Sequence, residues 1–298
     1  MTKFSVLICT YNRPDLLQIS LPVLIDKTIE KPDQVVIVNG GDDRSDSIVE
    51  AYKNRQGIQV DLIKTVNVNL ATSRNIGLAH CKGDIVAMTD DDAEVFPDWV
   101  TQMKRVHAEH PEAGAVGGAV IGANSGTSLL SRIADISVFP SPEVPGYVRT
   151  LPGVNVSYKR EALERVGLQD ETLFRGEDVD FNWRIKKQGY EIYYDPEVKV
   201  IHHHRPTIKG TMNQFYMYGR AYYLVRKKWP EMYSVYPIKS KSKKDVLKLI
   251  YFFVSSVFEP MKNVTKLSLI SDKILSLPLL FTFHLSWKFG IVTQSLRK

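Results

Sequence analysis

Over the first ninety positions, apolar residues fall into short unbroken runs separated by stretches of helical periodicity. Residues 4–10 form a β-rich run that stops at a polar cluster, and 34–38 (Gln-Val-Val-Ile-Val) are apolar almost throughout, as in a strand buried on both faces. Residues 58–64 and 84–89 repeat the strand pattern. Between these runs Pro14 opens a segment with Leu16, Leu17, Leu21, Leu24 and Ile25 near helical spacing. Ser45 or Asp46 can cap a second helix, and residues 72–81 read as a third. The alternation β-α-β-α-β-α-β predicts an α/β fold, Rossmann-like, with a mostly parallel central sheet and helices on both faces.

In open sheets of this kind, ligands bind beyond the carboxyl ends of the strands. Those ends carry Thr10-Tyr11-Asn12-Arg13, Asn39-Gly40-Gly41-Asp42-Asp43 and Asp90-Asp91-Asp92. The three polar clusters are therefore expected on one edge, as a nucleotide site requires.

From Gly114 the pattern changes. Short β-like pieces at 114–121 and 153–157 alternate with Gly/Pro-rich loops such as 139–146. A helix is predicted over 177–188, closed by Gly189, with β-like stretches at 190–194 and 198–201 before His202-His203-His204. The tail predicts a tyrosine-rich helix over 209–228, closed by Trp229-Pro230. Beyond it, 246–258 is apolar but short, and 274–292 contains Pro278, His284 and Lys288. A membrane span wants about 20 uncharged apolar residues. The tail is thus expected to lie in a bilayer interface, its lysines at the headgroups.

Charge sharpens this division. The 298 residues hold 39 Lys and Arg against 33 Asp and Glu, a net charge of +6. Residues 205–298 alone hold 17 basic and 4 acidic side chains, so the remainder is acidic. The expected organisation is a catalytic domain over 1–207, in halves 1–113 and 114–207, and a basic amphipathic helical tail over 208–298. A basic tail on an acidic domain suits a polyanionic surface, or is simply a solvated lysine-rich face. Cys9 and Cys81 lie in apolar runs without metal-like spacing, and the first residues do not read as a signal peptide. A reducing cytoplasm is the expected compartment.

Three consecutive aspartates after a buried strand repel one another unless a cation or donor compensates. A hard divalent metal, Mg²⁺ or Mn²⁺, takes such oxygen ligands and bridges them to phosphate. A solvated acidic turn is the plainer alternative. Glu177, Asp178 and Asp180 follow Gly176 into a helix, where acids suit the macrodipole and where one could also act as a general base. The three histidines follow a strand, so adjacent rings face opposite ways and at most two can share a site. Arg74, near a helix start where a cation opposes the dipole, could meet an anion such as phosphate or lie on the helix surface.

Taken together, these segments resemble the family 2 glycosyltransferases, which have the GT-A fold. The resemblance runs from Phe4 to about Thr207 and keeps the family's order. Residues 5–17 look like its opening strand and donor-binding turn, and 71–100 resemble its helix, strand and D-x-D motif. Residues 153–167 are similar to its acceptor-side segment, and 176–204 to its catalytic helix and closing strand. The resemblance implies that Thr10, Tyr11 and Arg13 border the nucleoside and diphosphate. It further puts Asp90 near the ribose with Asp91 beside it, Arg74 by the donor, and a divalent metal, Mn²⁺ or Mg²⁺, on Asp92. Asp178 becomes the catalytic base with Glu177 next to it, while Asn155 and Gly176 fall on the acceptor side. His202 best fits the metal- or diphosphate-side histidine, with His203 and His204 as the neighbouring candidates. One departure is Asn39, where the family usually has an aspartate to receive the base of the nucleotide. An amide both donates and accepts and can still read a base edge.

The implied reaction is inverting transfer of a sugar from a nucleoside-diphosphate sugar to the hydroxyl of a glycan or lipid-linked acceptor, in cell-surface glycan or glycolipid synthesis. The implied location is the cytoplasmic face of an anionic membrane, reached through the tail. No nucleic acid is expected as partner, and an oligomer is left open. A sugar-phosphate nucleotidyltransferase is the nearest rival, but it would need a glycine-rich loop where Thr10-Tyr11-Asn12-Arg13 stands. A non-catalytic polyanion binder would leave both acidic clusters without a role.

Overall fold

The structure, a computed structural model, describes residues 2–232 and 243–297. It divides into two compact units, one of Met1–Ile121 with Ser141–His203 and the other of Gly122–Pro140 with His204–Lys298. The boundary anticipated at residue 207 thus falls at His203, and the stretch from Gly122 to Pro140 joins the C-terminal part. That stretch contains a helix with an apolar face, and its buried Ile133 clusters with Phe215, Leu280 and Phe283 of the tail.

The first unit begins with β1 (Phe4–Thr10), α1 (Pro14–Pro22, continued by one π turn), β2 (Gln34–Asn39), α2 (Ser45–Glu50), β3 (Gln59–Lys64), α3 (Leu70–His80) and β4 (Ile85–Asp90). It continues through β5 (Ala93–Val95), α4 (Trp99–Glu109) and β6 (Ala113–Gly122). α5 (Leu129–Ser137) lies in the second unit. β7 (Gly146–Tyr147), β8 (Val156–Lys159), α6 (Arg160–Val166), α7 (Glu177–Lys187) and β9 (Glu191–His202) complete the first. The strand order is β3-β2-β1-β4-β8-β6-β9-β5, with β7 paired to β9. β3, β2, β1 and β4 run parallel. β8 joins β4 antiparallel, and β6, β5 and β7 also form antiparallel pairs. The sheet is therefore mixed, with the parallel arrangement expected from the βα alternation confined to its first four strands.

Alternation along the parallel strands explains how both faces are buried. Leu7, Val36, Val38, Val86 and Met88 face one side, where Phe181 and Ile185 of α7 complete the cluster. The alternate residues Val6, Ile8, Val35, Ile37 and Ala87 are equally inaccessible. On that side Trp99 of α4 meets Phe4 edge-on, with ring centroids 6.2 Å apart. Complete burial of such side chains is worth roughly 1.5–3 kcal/mol each, which sets the register firmly. β9 is one strand of 12 residues where two shorter pieces had been anticipated. Asp195 interrupts the apolar pattern, but it is buried and bonded to Arg105 at 2.7 Å, so the strand continues through it.

The second unit is helical among its described residues: α5, α8 (Ile208–Lys228), a 3₁₀ turn, α9 (Lys243–Val264) and α10 (Ile270–Leu296). α8 and α10 approach backbone to backbone at two glycines. A Cβ at Gly219 would lie 1.8 Å from the Trp287 carbonyl, and one at Gly290 would lie 2.1 Å from the Tyr216 carbonyl. At 27 residues, α10 is long and apolar enough to cross a membrane by length and composition. The tail had been expected to fall short of this. The helix runs past both ends of the apolar stretch at 274–292 and absorbs Pro278 and Lys288, the lysine being buried with its ammonium on the Phe252 carbonyl.

Candidate active site

β1, β2 and β4 end together at one edge of the sheet, and their last residues are neighbours: Thr10 pairs with Asn39, and Cys9 with Asp90. The chain turns sharply after β1, where Asn12 takes a φ of 53°. That turn lies against the loop after β2. A Cβ on Gly41 would come 2.6 Å from the Asn12 carboxamide oxygen and 3.0 Å from its backbone nitrogen, so a side chain there would push the Asn12 turn aside. Tyr11 stands out at this edge, 49% exposed.

The three aspartates divide their work. Asp91 points inward, accepting from the Thr10 hydroxyl at 2.8 Å and from the Arg13 guanidinium at 3.0 Å. Burial pushes its pKa up to about 7, against the pull of Arg13. Arg13 also bonds Asp92 at 2.9 Å. Asp90 and Asp92 lie on either side of this inward residue. Burial raises the pKa of Asp90, opposed by Arg74.

The second acidic motif arrives on α7. Gly176 at its N-cap has a φ of 79°, a left-handed conformation that favours glycine and turns the chain into the helix. Arg74 of α3 then joins the two motifs. One terminal nitrogen donates to Glu177 at 2.8 Å and the other to Asp90 at 3.1 Å. Burial lifts the Glu177 carboxyl to about 7, with the Asp178 charge acting the same way and Arg74 opposing both. For Arg74, burial works against the charged form, but Asp90, Glu177 and Asp178 more than compensate and hold it protonated. Asp178 is only partly buried. One of its carboxylate oxygens accepts from the Gly153 backbone at 3.1 Å and the other from the Val179 backbone at 2.8 Å.

The histidines separate cleanly. β9 pairs antiparallel with β5 so that His202 stands opposite Ala93, and its Nε2 lies 3.3 Å from Asp92 Oδ1. His203 meets Glu94 at 2.8 Å and His204 meets Asp135 at 2.8 Å. Of the three, His202 is the one beside the aspartate run.

Five residues expected to contact donor or acceptor have their polar groups engaged within the protein. Asn39 is 0% exposed; its amide nitrogen donates to Asp46 at 2.7 Å and its oxygen accepts from the Gly41 backbone at 2.8 Å. It braces the loop after β2 and offers no free edge to a nucleotide base. Asn155, assigned to the acceptor side, is likewise 0% exposed. It accepts from the Trp99 indole at 2.8 Å and donates to the carbonyls of Ala119 and Val198 at 3.0 and 2.9 Å, so it is a core bracket. Thr10 and Asp91 spend their polar groups on each other and on Arg13, which makes them the frame of the site rather than its surface. Arg74 is 3% exposed and already engaged with two carboxylates, so it presents no free cation to a phosphate. Conversely, Gly153 had not been singled out, yet its N–H holds Asp178. The only signal was its place at the head of the 153–157 stretch.

Asp92 and His202 supply one carboxylate and one imidazole. Among the described residues, no group of three His, Cys, Asp or Glu side chains is placed to hold a metal. Hard divalent ions such as Mg²⁺ are commonly held by one or two carboxylates together with substrate phosphates and water, and Mn²⁺ also accepts imidazole. The donor set therefore fits an ion that arrives with a diphosphate, and does not fit a cage made by protein alone.

Residues 5–167 match the sequence model of glycosyl transferase family 2. The chain is 26% identical over 223 residues to the glucosyl-dolichyl phosphate glucuronosyltransferase of Haloferax volcanii, a match covering 67% of this chain and 69% of that one. It is 29% identical over 202 residues to the poly-beta-1,6-N-acetyl-D-glucosamine synthase of Staphylococcus epidermidis, covering 64% of this chain and only 48% of the synthase. Among solved structures it resembles the mannosyltransferase PcManGT of Pyrobaculum calidifontis, in complex with GDP-Man and Mn²⁺. The TM-score is 0.67 at 19% identity, covering 98% of this chain and 87% of the other, a likeness of GT-A fold. With more than half its length matched by the family model, the chain belongs to glycosyl transferase family 2.

Proposed function

We propose that the protein is an inverting glycosyltransferase that moves a sugar from a nucleoside-diphosphate sugar to an acceptor hydroxyl in glycan or glycolipid synthesis. The observation that carries this reading is the meeting of two acidic motifs at one sheet edge. Asp90 and Glu177, 87 positions apart in sequence, share the guanidinium of Arg74. The relatives named as glycosyltransferases support the same class.

In this reading the donor lies across the ends of β1 and β4, with Tyr11 and Arg13 beside the nucleoside and diphosphate and Asp90 near the ribose. Asp92 and His202 would hold a divalent ion, Mn²⁺ or Mg²⁺. Once bound, such an ion supplies positive charge against the diphosphate that departs. Asp178 accepts the proton of the acceptor hydroxyl as its oxygen bonds to the anomeric carbon. The bond from that carbon to the diphosphate breaks at the same time, inverting the configuration. General base catalysis of this kind contributes roughly 10²–10⁴-fold. Partial burial keeps Asp178 within reach of an acceptor, and the Gly153 and Val179 amides fix the orientation of its carboxylate.

The helical unit suits an anionic lipid surface at the cytoplasmic face. On α9, Ile250, Val254, Phe258 and Met261 are exposed and recur at helical spacing; on α10, so do Ile270, Ile274, Leu277 and Phe281. Lys262, in the last turn of α9, and Lys266, in the connection to α10, are also exposed. An apolar stripe beside cations is the pattern of a helix resting in a headgroup layer. Flotation with vesicles containing phosphatidylglycerol should recover the wild type. Val254→Glu/Phe258→Glu should remain unbound, and equal recovery of both would remove the tail from membrane attachment.

The reaction is tested by nucleoside diphosphate release from a panel of UDP-, dTDP- and GDP-sugars with Mn²⁺ or Mg²⁺. Slow metal-dependent hydrolysis of one donor, lost in Asp92→Ala and Asp178→Asn, is expected. No metal-dependent binding of any donor in calorimetry would overturn the reading.

A further inference from the structure

Arg74 bonds Glu177 and Asp90 from its two terminal nitrogens, and its side chain is 4% exposed. At the open end of this fork, between its two terminal nitrogens, lies Gly153. A Cβ built there would sit 2.6 Å from both terminal nitrogens and 2.9 Å from the central carbon. The end of a free arginine would swing away from a methyl group at little cost. This one is tied at both nitrogens and enclosed, so it has nowhere to go.

Gly153 has a second contact. Its N–H donates to Asp178 Oδ2 at 3.1 Å. The backbone around it is held to the same helix through Asn182, whose amide donates to the carbonyl of Leu151 at 3.1 Å and to that of Asp178 at 2.7 Å. Gly153 therefore touches the bridging arginine on one side and the carboxylate of Asp178 on the other. The hydrogen bond from Gly153 to Asp178 depends on how closely residue 153 can approach Arg74.

We propose that Arg74 and Gly153 act together as a positioning device, in which Arg74 locks Glu177 to Asp90 and Gly153, seated on the guanidinium, holds Asp178 in line with the donor. The inference rests on reading Asp178 as the base that receives the acceptor proton. It departs from the expectation that Arg74 is itself a contact of the donor. Neither residue touches a reacting atom; both act through Asp178.

The two roles separate in kinetics. A donor contact, once removed, weakens donor binding. A positioning residue lowers kcat and leaves donor affinity in place, because misplacement by about 1 Å can cost ~10²-fold in rate. In Arg74→Lys, one ammonium cannot serve both carboxylates. kcat for transfer should fall ~10- to 100-fold while the donor Kd from calorimetry stays within about threefold of wild type. Gly153→Ala should do the same. The decisive comparison is Arg74→Ala/Gly153→Ala against Arg74→Ala, read both as kcat and as melting temperature. Without the guanidinium the new methyl group has room, so the second substitution should cost almost nothing in the double variant though it is severe alone.

A donor Kd weakened about tenfold or more in Arg74→Lys would make Arg74 a donor contact and overturn the proposal. So would an unchanged kcat in Gly153→Ala, or additive losses in the double variant. The melting-temperature comparison needs no substrate. Additive melting losses beside an active wild type would sink the positioning device alone. A wild type that neither binds nor turns over any donor would sink the catalytic reading, and the device's role in transfer with it.

Discussion

His202 Nε2 lies 3.3 Å from Asp92 Oδ1 because Ala93 and His202 stand opposite each other on the antiparallel strands β5 and β9. A one-residue slip in that pairing would turn the ring to the other face of the sheet. Removing either partner should therefore damage the same step. Asp92→Asn is expected to lower metal-dependent nucleoside diphosphate release at least ~10²-fold, the scale of losing one electrostatic contact in a transition state. His202→Ala should raise the half-saturating metal concentration ~10- to 100-fold. Metal titrations of both variants and of the double check this. Fully additive losses would mean the two side chains do not share an ion.

Asp178→Asn should cost ~10²–10⁴-fold in kcat for transfer. An asparagine oxygen can still accept from the Gly153 backbone as the carboxylate does at 3.1 Å, and the structural loss is confined to the bond from the Val179 backbone. The melting temperature and the donor Kd should stay near wild-type values. Steady-state transfer assays beside donor calorimetry separate the two effects. Retained kcat would take the base role away from Asp178.

Asn155 offers a contrast in which stability, not catalysis, is at stake. Asn155→Ala leaves the Trp99 indole and the carbonyls of Ala119 and Val198 without their partner in a fully buried position. At roughly 1–3 kcal/mol for each abandoned polar group, with the values near the low end because the site can relax, a loss of about 3–5 kcal/mol is expected. In a unit of this size that lowers the melting temperature by about 10 °C. The KM for acceptor should not move. An unchanged melting temperature with a raised acceptor KM would return Asn155 to the acceptor site.

Asn155 and Asn39 also mark where the sequence stops being legible. Strands β1, β2 and β4 announced themselves because a strand buried on both faces leaves no room for polar residues, and the polar clusters at their ends followed directly. The helix carrying Glu177 and Asp178 was equally plain from its acidic start and closing Gly189. A polar side chain on a strand carries no such signature. Whether Asn39 faces a nucleotide or Asp46 depends on a loop seven residues on, and whether Asn155 faces an acceptor or Trp99 depends on a partner 56 residues away. The same limit hid the bridge from Arg74 to Glu177, which spans 103 positions. It also hid α5, which lies in a stretch that reads as Gly-rich loops yet is held by Ile133 packing against the tail.

His107 makes folding stability depend on pH in a direction that can be worked out. Its ring is buried at the end of α4, with Nε2 2.9 Å from the Ser157 hydroxyl. Burial, helped by the Lys159 charge, pushes its pKa from 6.5 down to about 3. The native ring is therefore neutral over a range where the unfolded ring is protonated. Above pH 6.5 neither form binds the proton and His107 contributes no pH dependence. As pH falls from 6.5 towards 3, the unfolded state gains a proton the native state lacks, and stability is lost at a slope approaching ~1.4 kcal/mol per unit. His107→Gln keeps a polar group facing Ser157 but cannot titrate. Denaturant unfolding at about pH 7 and about pH 5 should show the wild type losing about 2 kcal/mol more than the variant between the two conditions. Parallel losses in both proteins would mean that the native ring takes up its proton as readily as the unfolded one, and that its burial is relieved before the chain unfolds.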